Sequence, residues 1–131
     1  MTATGDVGIC LSGVGTLNAI QVRVDKNDGG YQNYSLGDWI NLQDGDIIKL
    51  TNTYNNFSNS NSDFYFFQTS GNGTLSLSGN INSLINSQDN AGDYAFAHLF
   101  EDCDNITDAS QLNLTLMHVS KGCYWSLFRD C

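Results

Sequence analysis

The sequence predicts a mainly β chain, a small β-sandwich followed by the start of a solenoid built from repeated units. Three observations carry this expectation. Between turn residues the chain alternates or runs apolar over about four to eight positions, as strands do. Helix formers are scarce, whereas Asn, Ser, Thr and Gly are abundant. Near the end of the chain a segment recurs at a fixed offset. The length of 131 residues suits one domain or one domain plus the start of another, and 40% apolar residues with only 15% charged suffice for a modest core.

Taken in order, strands are expected over 17–24, 31–35, 38–42, 46–52, 63–69 and 74–78, with turns at Asn27-Asp-Gly-Gly30 and Asp44-Gly45. Ile20, Val22 and Val24 alternate with Gln21 and Arg23, which puts one face in the core and the other in water. Leu75 and Leu77 repeat the pattern. With no Pro to protect edge strands, the edges must be blunted by Asp, by Lys49, by glycan or by a neighbouring subunit. Residues 51–62 are nearly all polar and read as a long exposed loop. The stretch Ser87-Gln-Asp-Asn-Ala-Gly-Asp93 is linker-like. It divides the chain into a β-sandwich leader or cap, residues 1–88, and a repeat segment, residues 89–131.

The repeat is the strongest signal. Ala95-Phe-Ala-His-Leu-Phe-Glu-Asp-Cys103 aligns with Cys123-Tyr-Trp-Ser-Leu-Phe-Arg-Asp-Cys131 at an offset of 28 residues. Leu99/Leu127, Phe100/Phe128, Asp102/Asp130 and Cys103/Cys131 are identical, and Phe96/Tyr124 are both aromatic. A period of this size suits a leucine-rich-repeat solenoid, whose units bury their apolar faces only by stacking. Ile106, Ala109, Leu112, Leu114 and Leu116 supply a short extended stretch. Phe96, Leu99 and Phe100, spaced i, i+3, i+4, predict the inward face of a helical turn on the return side. The expected repeat core is therefore Phe96, Leu99, Phe100, Cys103, Ile106, Leu112, Cys123, Tyr124, Leu127, Phe128 and Cys131, about one and a half units.

The segments Gly79-Asn-Ile-Asn-Ser-Leu-Ile85, Tyr94-Ala-Phe-Ala-His-Leu-Phe-Glu-Asp-Cys-Asp-Asn-Ile-Thr107 and Gly122-Cys-Tyr-Trp-Ser-Leu-Phe-Arg-Asp-Cys131 resemble the BspA-like leucine-rich-repeat proteins. In that family, units of the type Cys-Tyr-x-x-Met/Leu-Phe-x-x-Cys-x-x-Leu-Thr follow a small β-rich leader. The resemblance covers residues 73–131 and implies a surface adhesion or recognition protein without catalysis, found on gut and oral bacteria and also encoded by their phages. Members usually carry many repeats and a Pro-containing strand segment, and this chain has no Pro. The family's shared positions are structural, so no binding residue carries over. An uncapped repeat edge exposes an apolar stripe, so the expectation is that units of about 25 to 30 residues continue past Cys131 or that the open edge docks on another subunit.

Charge narrows the partners. Thirteen Asp and one Glu against three Lys and two Arg give a net charge of −9, which repels a phosphate backbone, so nucleic acid is not expected. No apolar run is long enough for a spanning helix, and no signal peptide is visible. The expected partners are a protein or glycan ligand on a surface, with self-association through the C-terminal repeat edge as a further option. Tyr31, Tyr34 and Trp39 could form a contact patch for such a ligand, although Trp39 in the core with the tyrosines at its rim is the plainer reading.

Candidate chemistry is sparse. Cys10, Cys103, Cys123 and Cys131 read as a buried thiol stack, with disulfides and a metal site as the other readings; Cys103 and Cys131 hold equivalent repeat positions. Asp25-Lys-Asn-Asp-Gly-Gly30 resembles the opening of a calcium loop, but position twelve would be Leu36, which favours a hairpin turn. Asp102, Asp104 and Asp108 read as solvated loop carboxylates rather than cation ligands. Sequons stand at Asn33, Asn56, Asn72, Asn105 and Asn113 and arise readily from composition. No Gly-x-Ser-x-Gly elbow is present, and neither His98 nor His118 sits in a catalytic motif, so no catalytic residue, cofactor or metal is expected. The expected function is a non-enzymatic, extracellular or cell-surface adhesion module. A phage virion component, such as a head or tail fibre or decoration protein, is the alternative. A polysaccharide hydrolase, more distant, would need two carboxylates facing each other across a cleft.

Overall fold

The computed structural model describes residues 1–15, 21–53, 57, 60 and 62–131. The chain is mainly β. Its strands are β1 (Thr2–Thr4), β2 (Val7–Val14), β3 (Gln21–Lys26), β4 (Tyr31–Ser35), β5 (Trp39–Leu42), β6 (Ile48–Thr51), β7 (Phe64–Gly71), β8 (Thr74–Asn80), β9 (Asn90–Ala91), β10 (Ile106–Asn113) and β11 (His118–Val119). One 3-10 turn, Ile81–Ile85, follows β8 and is capped by Asn80, whose side chain accepts from the Asn82 N–H. Among the described residues no helix is long and apolar enough to cross a membrane.

Among the described residues four small sheets share one apolar core: β5-β2-β7, β4-β3-β6, β1-β8-β10 and β11-β9. In the first, β2 is central and antiparallel to both neighbours. In the second, β3 is central, and Val22 and Val24 turn inward as their alternation predicts. Part of the expected 17–24 strand, residues 16–20 with Ile20 among them, lies outside the described residues.

The β2 strand is absent from the sequence-based expectation, although Val7, Ile9, Cys10 and Leu11 are buried. Gly8 and Gly13 dilute its β signal, yet Gly8 has a structural cause. A Cβ there would come within 2.6 Å of Ser70 Oγ and 3.1 Å of Trp39 Cε3. The indole lies across the strand where only glycine leaves room. Trp39 is thus 44% exposed, which corrects its placement in the core.

The Asn27-Asp-Gly-Gly30 segment is a hairpin turn between β3 and β4. Asn27 and Asp28 both take positive φ (53° and 57°), and the Gly29 N–H donates to the Lys26 carbonyl at 3.0 Å. Asp25 accepts from the Gly30 N–H. The second turn is fastened by Asp46, whose carboxylate accepts from the Gln43 N–H and from Lys26 Nζ. The Gln43 N–H, then Lys26 and Asn27, hold this carboxyl down at about 2. A carboxylate with a depressed folded-state pKa contributes stability at neutral pH that is lost as pH falls from about 4 to about 2. Replacing Asp46→Ala is therefore expected to flatten the acid limb of a denaturation-versus-pH curve in that window, with no change of slope above pH 5; an unaltered acid limb would contradict this role.

Candidate functional site

From Tyr94 to Asp102 the backbone is a chain of overlapping turns. Ala97, Leu99 and Glu101 donate their N–H groups to Tyr94, Phe96 and His98 carbonyls, each three residues back. Tyr94, His98 and Asp102 take positive φ at four-residue intervals. Residues 122–130 repeat the form, with Gly122, Ser126 and Asp130 at positive φ. The four-residue turn period brings Phe96, Leu99 and Phe100 to one buried side, but the backbone is a turn run and not the helical turn that their spacing predicts. A left-handed residue every fourth position breaks helical bonding before it can propagate.

The two runs lie in parallel. N–H groups of Tyr94, Phe96, His98, Phe100 and Asp102 donate to carbonyls of Lys121, Cys123, Trp125, Leu127 and Arg129 at 2.8 to 2.9 Å. His118 pairs with Asn90 and Val119 with Ala91, at the same 28-residue offset that links the Lys121 N–H to Asp93. Farther along, β10 runs parallel to β8. Phe67, Phe100 and Phe128 form a column of near-parallel rings with centroids 5.6 and 5.3 Å apart, and Phe96 stacks on Tyr124 at 5.9 Å.

Of the expected repeat core, Phe96, Leu99, Phe100, Cys103, Ile106, Cys123 and Leu127 are buried. Leu112, Tyr124 and Phe128 are half-buried against the same cluster, and Cys131 is exposed. All four cysteines are free thiols. Cys103 Sγ donates to the Phe67 carbonyl at 3.1 Å and Cys131 Sγ to the Phe100 carbonyl at 2.6 Å, so equivalent thiols make equivalent bonds one layer apart. Burial pushes the Cys103 thiol up to about 12 and the Cys123 thiol up to about 11, which makes both poor nucleophiles.

The bonding between runs has a polarity. In the outer run the N–H groups of Cys123, Trp125, Leu127 and Arg129 are used within the run, and the odd-numbered carbonyls face the inner run. Among the described residues the N–H groups of Gly122, Tyr124, Ser126, Phe128 and Asp130 form no bond. The outer edge is a row of donors without acceptors, and two copies cannot pair donor to donor across a two-fold axis.

Gly122 shows how tightly the runs are fitted. A Cβ there would stand 2.4 Å from the Tyr94 ring. The positive φ alone does not demand glycine, since Ser126 and Asp130 adopt it too. Gly122→Ala is expected to destabilise by about 1 to 3 kcal/mol through overpacking, with Tyr94→Ala restoring most of the loss in the double variant. Additive losses in a urea denaturation cycle would show that the ring contact is not the cause.

One cluster escapes sequence reasoning. His98 stacks on Phe64 at 4.2 Å, its Nδ1 meets Glu101, and the other oxygen of Glu101 meets Arg129 of the outer run. Burial first, then Arg129, lowers the His98 pKa. Glu101 and Arg129 are 28 residues apart, so opposite charges at equivalent positions were a legible signal. The cluster borders a cavity of about 340 Å3 beside Val14, Phe64 and Phe66. Among the described residues no hydroxyl or thiol bonds to His98, and no group of three or more His, Cys, Asp or Glu is placed to hold a metal ion.

The aromatic patch does not assemble as one surface. Tyr31 is 45% exposed on the outer face of β4, under the Arg23 guanidinium. Tyr34 lies on the opposite face, against the core, and Trp39 belongs to another sheet. Asp108 accepts from the Ser110 N–H in a local turn. The Asn105 amide is committed to the Gly71 and Gly73 carbonyls, Asn33, Asn72 and Asn113 are exposed, and Asn56 lies outside the described residues. Comparison with protein-family models, curated proteins and solved structures finds no match to this chain.

Proposed function

We propose that this chain is a non-enzymatic adhesion and recognition module of the BspA-like leucine-rich-repeat type, displayed outside a bacterial cell. On this reading sheets β5-β2-β7 and β4-β3-β6 form a β-sandwich that caps the first stacked units. The observation that carries it is the parallel stacking of residues 122–130 on 94–102, with rings, thiols and backbone bonds repeated at one offset. A repeat unit of this kind has no independent core and gains one only from its neighbours. The donor-only edge matches the carbonyl row that another such unit would present. A protein or glycan on a facing surface is the ligand class that fits a module with a net charge of −9 and no nucleic-acid footprint.

Four free thiols favour a second reading, a virion component assembled in the reducing interior of a host cell. Immunogold labelling of intact producing cells with antibody to this chain separates the two. Label at the cell surface supports the adhesion module, label on assembled particles supports the virion component, and label confined to the cytoplasm contradicts both.

A further inference from the structure

The outer face of sheet β5-β2-β7 carries side chains that neither the core nor the turn runs use. The register sets them in rows: Trp39, Cys10 and Gln68 lie across the three strands, and Asn41, Gly8 and Ser70 form the next row. Ile9, Ile40 and Leu42, which alternate with them, are buried in the core on the other face. Trp39 stands on the edge strand β5. The opposite strand, β7, adjoins the inner turn run through the bond from the Phe67 N–H to the Leu99 carbonyl.

The indole leans from its own row over Gly8, where a Cβ would come within 3.1 Å of Cε3 and 3.3 Å of Cζ3. The ring is thus seated on the strand beneath it and still open to water. Beside it Asp6, Asn41, Gln43 and Ser70 line a cleft of about 320 Å3. Among the described residues the Trp39 indole N–H, the side-chain amides of Asn41 and Gln43 and the Ser70 hydroxyl form no hydrogen bond. The Ser12 hydroxyl donates to Gln68 Oε1 at 2.9 Å, which leaves the Gln68 NH2 group to donate outward. By register this polar pair stands between Trp39 and Phe66. Lys26, the cation that reaches this edge, is committed to Asp46 and the Asn41 carbonyl.

These features select a ligand. One flat ring bordered by polar groups is too small for the centre of a protein interface, which takes about 800 Å2 per partner around an apolar middle. It matches a pyranose whose substituents are mostly equatorial. The axial C–H bonds of such a sugar make a flat apolar face for the indole, and its rim of hydroxyls needs partners that both donate and accept, as Asn, Gln and Ser do. Asp6 and the net charge of −9 disfavour an acidic sugar. We propose that Trp39 and the cleft beside it bind a neutral glycan of β-linked hexopyranoses, stacked on the indole and hydrogen-bonded by Asn41, Gln43, Gln68 and Ser70. This site deepens the recognition reading above and rests on it for its biological setting.

The test is a titration of the 15N-labelled chain with cellotriose and with lactose. With at least one of them the Trp39 indole N–H and the Gly8, Asn41 and Ser70 amides should shift saturably, while the indole N–H of Trp125, exposed elsewhere, stays still as an internal control. Trp39→Ala should weaken binding about tenfold or more. Gly8→Ala, which keeps the ring but lifts it from its seat, should weaken it as well. Asn41→Ala should weaken it about fivefold, the worth of one hydrogen bond, and keeps the proposal testable if the indole is needed for folding. A Trp39 indole unmoved by both sugars at about 20 mM overturns the proposal, as does binding that survives Trp39→Ala or moves only Trp125. The site and the module fail separately: an unmoved Trp39 with label at the cell surface removes the glycan site and leaves the module, whereas saturable binding by a chain labelled only in the cytoplasm removes the module and leaves the site.

Discussion

Phe100→Ala is expected to cost about 3 to 5 kcal/mol, because a large aromatic side chain is removed from a packed site that cannot collapse around the loss. Its ring is 2% exposed and lies between Phe67 and Phe128 in the column that joins β7 to both turn runs. A domain of this size has about 5 to 15 kcal/mol in total, so the variant should unfold at a much lower urea concentration or fail to fold at ambient temperature. Phe128→Ala, on the half-buried outer ring, should cost distinctly less. Equal losses at the two positions would mean that the column is not graded from core to edge.

Gly73→Ala is expected to cost about 1 to 3 kcal/mol, toward the upper end, because every atom in the way is backbone. The added Cβ would meet the Gly5 carbonyl carbon at 2.6 Å, the Thr4 oxygen at 2.7 Å and the Asp6 oxygen at 2.8 Å. The strain falls on the link between β1 and β2, where the Gly73 N–H donates to the Asp6 carbonyl. Gly45→Ala is the useful comparison. Gly45 has positive φ (83°) but open space around it, so only a torsional penalty of about 1 to 2 kcal/mol applies. Thermal unfolding of both variants separates the causes: restoring the loss by shortening a neighbouring side chain is impossible at Gly73, and a loss there no larger than at Gly45 would contradict the backbone clash.

How much of this was legible follows from particular residues. The strands from β3 to β8 were visible because Val22, Val24, Leu75 and Leu77 alternate with polar neighbours and because Asn27-Asp-Gly-Gly30 can scarcely be anything but a turn. The central strand β2 was not visible, since the glycine that accommodates Trp39 also weakens its β signal. The offset of 28 was visible in identical residues. The turn run was not, because a left-handed residue every four positions gives the same i, i+3, i+4 spacing as a helix. A search for identities passes over Glu101 and Arg129, which are complementary instead.

The central claim is that residues 122–130 are laid in parallel on 94–102, with bonding that runs one way. Residue-resolved amide hydrogen exchange tests it most directly. The expected result is protection of Tyr94, Phe96, His98, Phe100 and Asp102, together with fast exchange at Tyr124, Ser126, Phe128 and Asp130 and slower exchange at the odd-numbered amides between them. Uniform exchange along 122–130, or unprotected even-numbered amides in 94–102, would contradict it.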